Sequence, residues 1–420
     1  MRVISLREDY HIRTLKLFKN IDQASRFLRD TSAVRPGVIL FPNLQTLSFF
    51  SLGPTNVLLP VSLRRLHIDT HDYEEAADSY AEAISQLSAL ESLTFIGFLS
   101  PQNALRLTRC KQLRELYLHQ ASINHMLYAD TMRELAALPV LEKISIPAEL
   151  KENELAFTSG FRCLNELGVP GDPAIVVRFL QTMSKSNLRA ITFHDHWRLR
   201  PSVETAKYPQ SLETLSILCG SSLRKVIFSV AYGIPEIPLV DVLQPLLKLN
   251  LLEHFEITLY HGVYVRYPIT TDIIQEMASG WPSLRTLKLD TCRRPRDLEN
   301  GCGLECLALL ARSCPRLVCL EIQVYNSNTP SISDWPFLNH GLEVLKLRGP
   351  DRWDPVLLAR LLHRIFPTLD LVSVAARKYE EEAKDVVGRI VRMFQAVREE
   401  TCAVSCKCSC HTNNSCAEEL

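Results

Sequence analysis

Trp281-Pro282-Ser283-Leu284-Arg285-Thr286-Leu287-Lys288-Leu289-Asp290-Thr291-Cys292 decides how this chain folds, and Cys314-Pro315-Arg316-Leu317-Val318-Cys319-Leu320-Glu321-Ile322 repeats its plan. In Leu284-x-x-Leu287-x-Leu289 the last two leucines stand two apart, as a short strand buried on one face requires. Proline in second place disfavours the αR conformation for the residue before it, so a helix arriving from upstream stops at Trp281 or Cys314. That bulky residue is read as a plug between helix and strand.

Working outward, the same apolar triplet recurs along the chain. It appears as Ile12/Leu15/Leu17, Leu44/Leu47/Phe49, Leu63/Leu66/Ile68, Leu90/Leu93/Phe95, Leu113/Leu116/Leu118, Leu141/Ile144/Ile146 and Leu164/Leu167/Val169. It continues as Leu188/Ile191/Phe193, Leu212/Leu215/Ile217, Leu252/Phe255/Ile257, Leu342/Leu345/Leu347 and a weaker Leu369/Val372/Val374. Triplets alone would arise about ten times by chance in this length. Successive copies mostly stand 19–33 residues apart, near a known repeat period of about 20–29, and that spacing with the plug three places upstream is what chance does not supply. Plugs are read at Phe41, Leu87, Cys110, Leu138, Phe161, Leu249, Trp281, Cys314 and Phe366, and Pro42, Pro139, Pro282, Pro315 and Pro367 follow five of them.

The segments before the triplets carry helical spacing. Ala76, Ala77, Tyr80, Ala83, Ile84 and Leu87 share one face of Tyr73–Leu90, and Leu304, Leu307, Leu310 and Ala311 one face of Gly303–Cys314. Each unit is therefore helix, turn, short strand, and it buries its apolar face only by stacking on its neighbours. The expected fold is an α/β leucine-rich-repeat solenoid, curved, with parallel strands on the concave face and helices on the convex face. About thirteen strands at ~4.8 Å would line an arc of ~60 Å. Between Ile217 and Leu252 the interval is longest and holds a possible extra copy, Leu223/Val226/Phe228, with Pro235 and Pro238. A defective repeat and a loop insertion both remain open there.

Residues 1–11 read as a lead-in, 12–378 as the repeats, 379–400 as an amphipathic capping helix, and 401–420 as a disordered Cys-rich tail. The capping helix has Ala383, Val386, Val387, Ile390, Val391, Phe394 and Val397 on one face. The chain is 46% hydrophobic with Lys+Arg and Asp+Glu both 47, so no net field draws it to nucleic acid or an anionic membrane. Neither partner is expected. The start carries no signal peptide and no apolar run of membrane-spanning length occurs, so cytoplasm or nucleus is the expected location. Of 13 cysteines, five crowd the last 19 residues, and the other eight read as small buried hydrophobes.

The two quoted segments resemble the cysteine-containing leucine-rich repeat of F-box proteins, with Cys292 at that repeat's closing position. About residues 10–378 resemble the repeat region of a fungal-type F-box/leucine-rich-repeat protein. The resemblance implies a substrate receptor of a cullin ubiquitin ligase, its F-box docking the ligase adaptor while the repeats select a protein substrate. Only Met1–His11 precede the first repeat, without a Leu-Pro-x-Glu opening, so the adaptor is an expected partner only if an F-box lies upstream of Met1. The alternative is a stand-alone repeat scaffold or regulator with no ubiquitin role.

Candidate chemistry is sparse. Cys406, Cys408, Cys410 and His411 have thiolate spacing for a soft metal ion, but as a single cluster they are only a weak metal candidate. His194-Asp195-His196-Trp197-Arg198 and His67-x-x-x-His71-Asp72 lack a placeable third ligand. No nucleophile elbow, phosphate loop or zinc-protease motif appears, so neither catalytic residues nor a cofactor are expected. Candidate binding residues follow from the fold. Side chains flanking the middle leucine of each strand face the partner, among them Arg65, His67, Glu115, Tyr117, Lys143, His254, Glu256, Lys288, Glu321 and Lys346. Loops leaving the strands add His194, His196, Trp197, Tyr260, Tyr264, Tyr267, Arg293, Arg294, Arg352 and Trp353, rich in the residue types that dominate hot spots.

Overall fold

Alternating burial along short strands and a plugged helix end in several repeats determine the architecture of the computed structural model. It describes residues 13–17, 43–50, 59–70, 74–97, 99–119, 129–146, 160–170, 177, 179–181, 187–194, 207–230, 239–259, 269–291, 301–324, 335–349, 353–376 and 386–398. The chain forms two compact units, residues 1–196 with 217–222, and residues 197–216 with 223–420.

The first unit contains strands β1 (Thr14–Leu17), β2 (Thr46–Phe50), β3 (Arg65–Asp69), β4 (Ser92–Ile96), β5 (Glu115–His119), β6 (Lys143–Ser145), β7 (Glu166–Pro170) and β8 (Ala190–His194). Each pairs in parallel with the next in chain order. Helices α1 (Glu74–Ser85), α2 (Pro101–Leu107) and α3 (Ala129–Ala136) lie between them in sequence. The division between the units runs through α4 (Lys207–Cys219).

The second unit holds β9 (Lys225–Val230), β10 (His254–Leu259), β11 (Thr286–Thr291), β12 (Cys319–Gln323), β13 (Val344–Gly349) and β14 (Leu371–Ala376), again parallel and in chain order. Its helices are α5 (Leu239–Leu243), continued by a 3-10 turn at Gln244–Lys248, then α6 (Thr271–Gly280), α7 (Glu305–Ser313), α8 (Pro355–Ile365) and α9 over 386–398. Parallel strands joined in order through intervening helices are the leucine-rich-repeat plan, and each unit is built on it.

The register shows why the triplets matter. Leu66, Leu93 and Leu116 pair side by side, as do Phe255, Leu287, Leu320 and Leu345, and all are buried. The residue before each strand fixes its neighbour's start. The Arg64 carbonyl accepts from the N–H groups of both Glu91 and Ser92, and the Glu253 carbonyl from those of Arg285 and Thr286. Burying one such leucine contributes about 2–5 kcal/mol against alanine, far more than any single surface contact on the repeat.

The plugs behave as the sequence implies. Leu87, Cys110, Leu138, Phe161, Leu249, Trp281, Cys314 and Phe366 are all buried, whereas Phe41 lies outside the described residues. Before Pro282, Pro315 and Pro367 the helices end alike, with Trp281 at φ −122°, ψ 65°, Cys314 at −118°, 72° and Phe366 at −125°, 72°. This is the extended-side backbone that a following proline favours. Several plugs also hydrogen-bond back into the preceding repeat. The Trp281 indole N–H donates to the Leu246 carbonyl at 2.9 Å, and the Cys110 thiol to that of Ile84 at 3.3 Å. The buried His340 contacts the Cys314 carbonyl through Nε2 at 2.9 Å.

One repeat was misplaced by the sequence pattern. Leu212/Leu215/Ile217 is not a strand but part of α4, with Leu212, Leu215 and Cys219 fully buried and Ile217 74% exposed. Leu-x-x-Leu also fits one helix face, and only the third position separates the two structures. Here the buried third member is Cys219, one helical turn beyond Leu215. Leu223/Val226/Phe228, the possible extra copy, is the real strand segment β9, with all three buried. The long interval is therefore a regular repeat mis-registered by pattern, and the segment 231–238 after it is outside the described residues.

Candidate binding surface

The residue between the apolar pair of a strand points to the opposite face, where His67, Thr94, Tyr117, Thr192, Glu256, Lys288 and Lys346 remain at least partly exposed and Ser48, Ser145 and Glu321 are buried. In the second unit they form rows across the sheet. The central row runs Ile227, Glu256, Lys288, Glu321, Lys346, Ser373, alternating in charge over four strands. One pleat further, Thr258, Asp290, Gln323 and Arg348 line up on β10–β13.

These rows are cross-linked. Lys288 Nζ donates to Glu256 at 3.1 Å, Lys346 Nζ to Glu321 at 3.4 Å, and Arg348 Nη2 to Glu321 at 3.1 Å. Arg348 Nη1 also pairs with Asp290, which ties β11 to β13 across the intervening β12. Glu256 is further engaged by His254 and by the Thr258 hydroxyl, each at 3.3 Å. The hydrogen bond with His254, followed by the bond and charge of Lys288, overcomes the opposing effect of burial and holds the Glu256 carboxyl down at about 2. Part-exposed pairs of this kind contribute only about 0.2–1 kcal/mol each, so their main effect is to fix charged groups in place.

The first unit presents a more neutral face. His67, Thr94, Tyr117 and Ser145 follow one another along its central row. In the neighbouring row, Lys143 lies 3.4 Å from Glu115 and 3.3 Å from Glu166, and the Ser92 hydroxyl donates to Glu115 at 2.9 Å. Burial lowers the His67 pKa despite nearby Asp69, and burial with the Glu115 charge raises that of Tyr117. Both groups are therefore shifted toward their neutral forms. Arg65 sits beside them at the start of β3, exposed.

Among the sequence candidates, His254 and Lys288 converge on Glu256, whereas His67 and Tyr117 lie on strands separated by β4. Trp353 is half-buried and packs against Gly349, where a β-carbon would meet its ring at 2.0 Å. His194 ends β8. His196, Trp197, Tyr260, Tyr264, Tyr267, Arg293, Arg294 and Arg352 lie outside the described residues, as do Cys406, Cys408, Cys410 and His411. Asp290, Arg348 and Glu166 were missed by the sequence reading. Strand parity would have found Asp290 and Arg348, since each stands two beyond a residue already singled out.

Of the body cysteines, Cys110, Cys219, Cys302, Cys306 and Cys314 are buried as expected, Cys319 is half-buried, Cys163 is exposed against expectation, and Cys292 lies outside the described residues. Burial pushes Cys110 and Cys314 up to about 11. A hydrogen bond with Cys302, together with burial, moves Cys306 well above its ordinary value. Such thiols stay protonated at neutral pH and are poor nucleophiles. Among the described residues no three His, Cys, Asp or Glu side chains gather to hold a metal ion, and no helix is long and apolar enough to cross a membrane.

No family description matches the chain, and no curated protein does. Among solved structures, a leucine-rich-repeat protein of Leptospira interrogans is similar at 14% identity and a TM-score of 0.27, covering 90% of this chain and 98% of that one. The repeat fold itself rests on the strand order and register described above.

Proposed function

We propose that this chain is a protein-recognition module, acting without catalysis, whose partner lies on the open face of the sheet. The observation that supports it most is the cross-linked ionic row from Glu256 to Lys346, braced by Asp290 and Arg348. A pre-ordered array of charges reduces the side-chain ordering cost of binding and gives a partner a fixed pattern to match. Eight strands in the first unit alone span ~34 Å, a macromolecular rather than a small-molecule dimension.

Within that reading, the resemblance of Cys314–Ile322 and Trp281–Cys292 to F-box-type repeats favours a substrate receptor of a cullin ubiquitin ligase, working in cytoplasm or nucleus. A stand-alone scaffold or regulator with no ubiquitin role is the second reading. Two measurements separate them. Affinity capture with the wild-type chain should yield a protein that Lys288→Glu/Arg348→Glu loses and that Glu82→Lys, on helix α1, retains. Loss by neither variant removes the open face from the proposal. Binding of a purified cullin adaptor to the chain, extended by any F-box encoded upstream of Met1, supports the receptor. If no F-box can be joined and no adaptor binds, the scaffold reading stands.

A further inference from the structure

Across the strand starts of the second unit runs another row, Arg224, Glu253, Arg285, Val318 and Glu343, joined by successive backbone hydrogen bonds. Arg224 turns to Glu253 at 3.7 Å, just as Arg64 pairs with Glu91 at 2.7 Å and Arg114 with Glu142 at 2.8 Å in the first unit. The alternation breaks at Val318. Arg285 therefore has no acidic residue on its far side, and its guanidinium makes no ion pair or side-chain hydrogen bond among the described residues. The same holds for Arg316, in the turn after Cys314. A surface cleft opens between these two consecutive turns, lined by Arg285, Arg316, Ser283 and Glu253. Two exposed, unneutralised guanidiniums beside a hydroxyl are the groups that bind tetrahedral oxyanions by forked hydrogen bonds.

Glu253 narrows the class of anion. Its carboxylate repels any ligand that brings only acceptors, but it accepts from a ligand that keeps one proton. A phosphate monoester has its second pKa at about 6, so about half of it keeps a P–OH at pH 6, whereas sulfate and carboxylate have none there. We propose that the cleft between the turns at Trp281–Leu284 and Cys314–Leu317 binds a phosphate monoester, with Arg285 and Arg316 gripping the anionic oxygens, Ser283 donating, and Glu253 accepting from the P–OH. The site lies at the strand starts rather than on the open face, so it does not depend on the recognition reading above.

Calorimetric titration of the full chain at pH 6.0 tests it, with inorganic phosphate, sulfate and a capped Gly-phosphoserine-Gly peptide as probes. Phosphate should bind at least tenfold more tightly than sulfate. Arg285→Gln/Arg316→Gln should weaken phosphate at least tenfold, while Arg64→Gln leaves it unchanged. Glu253→Gln should abolish the preference by strengthening sulfate. Tighter binding of the phosphopeptide than of phosphate would assign the site to a modified protein side chain, and equal binding to the free ion or any small ester. The proposal is overturned if sulfate binds as well as phosphate, if neither binds, or if the double variant binds like wild type.

Discussion

Gly97 is the residue where backbone and packing leave no alternative. It stands directly after β4 at φ +139°, and a β-carbon there would lie 1.9 Å from the Thr70 hydroxyl. Its N–H donates to the His119 carbonyl, and that of Thr70 to Ile96, so neither segment can withdraw without losing a bond. Gly97→Ala should therefore destabilise the chain by about 1–3 kcal/mol in chemical denaturation. Thr70→Ala in the same background should recover part of the loss, because it removes the clash while the backbone strain remains. Additive effects in that cycle would show that the two residues do not meet. Glu256 carries a second residue-scale expectation. Its carboxyl titrates at about 2 when folded against 4.5 ordinarily, so the folded state binds fewer protons between those values. The stability it contributes is fully present above pH 4.5 and is lost as pH falls toward 2. Glu256→Gln should flatten the fall of stability across that window and lower stability at neutral pH, as chemical denaturation at pH 3 and pH 7 would show. An unchanged acid slope would mean that His254 and Lys288 do not hold the carboxylate in solution.

At the scale of the element, the sequence was legible wherever two independent signals coincided. Plug, proline and triplet together located β11, β12 and β14, because a pre-proline residue cannot continue a helix and the apolar pair two apart cannot face one helical side. Where the triplet stood alone it located β3, β8 and β13 but misled once, at Leu212/Leu215/Ile217. Leu212 and Leu215 satisfy strand and helix equally, and no plug precedes them. The outward face of the sheet was legible as parity, which names the outward residue of each strand. It was not legible as pairing, because the contact from Arg348 to Asp290 spans an intervening strand and depends on how two side chains reach across the sheet. The α4 assignment has a direct check. Leu215→Ala should cost about 2–5 kcal/mol, while Ile217→Lys, at a position 74% exposed, should stay within about 0.5 kcal/mol of wild type. If the segment were a strand with the triplet buried, Ile217→Lys would be the more damaging of the two.

At the scale of the whole molecule, the consequence of repeat construction is that energy is shared mainly between neighbours. Within the second unit every described strand pairs with its chain neighbours, and the plugs extend the same rule through the helix layer. Trp281 sits at the meeting point of three repeats. Its indole bonds to Leu246, its ring lies 4.5 Å from that of Phe255 on β10, and its carbonyl accepts from the Cys314 thiol. Trp281→Ala opens a cavity there and should cost about 3–5 kcal/mol. The loss should not spread evenly. Amides of β10, β11 and β12 should exchange with deuterium tens of times faster than in wild type, since their local opening now lacks the shared ring. Those of β14, two strand positions beyond β12 and held by the separate plug Phe366, should change less than about threefold. Equal acceleration from β9 through β14 would instead show that the second unit opens only as one cooperative body, and nearest-neighbour accounting would then fail for it.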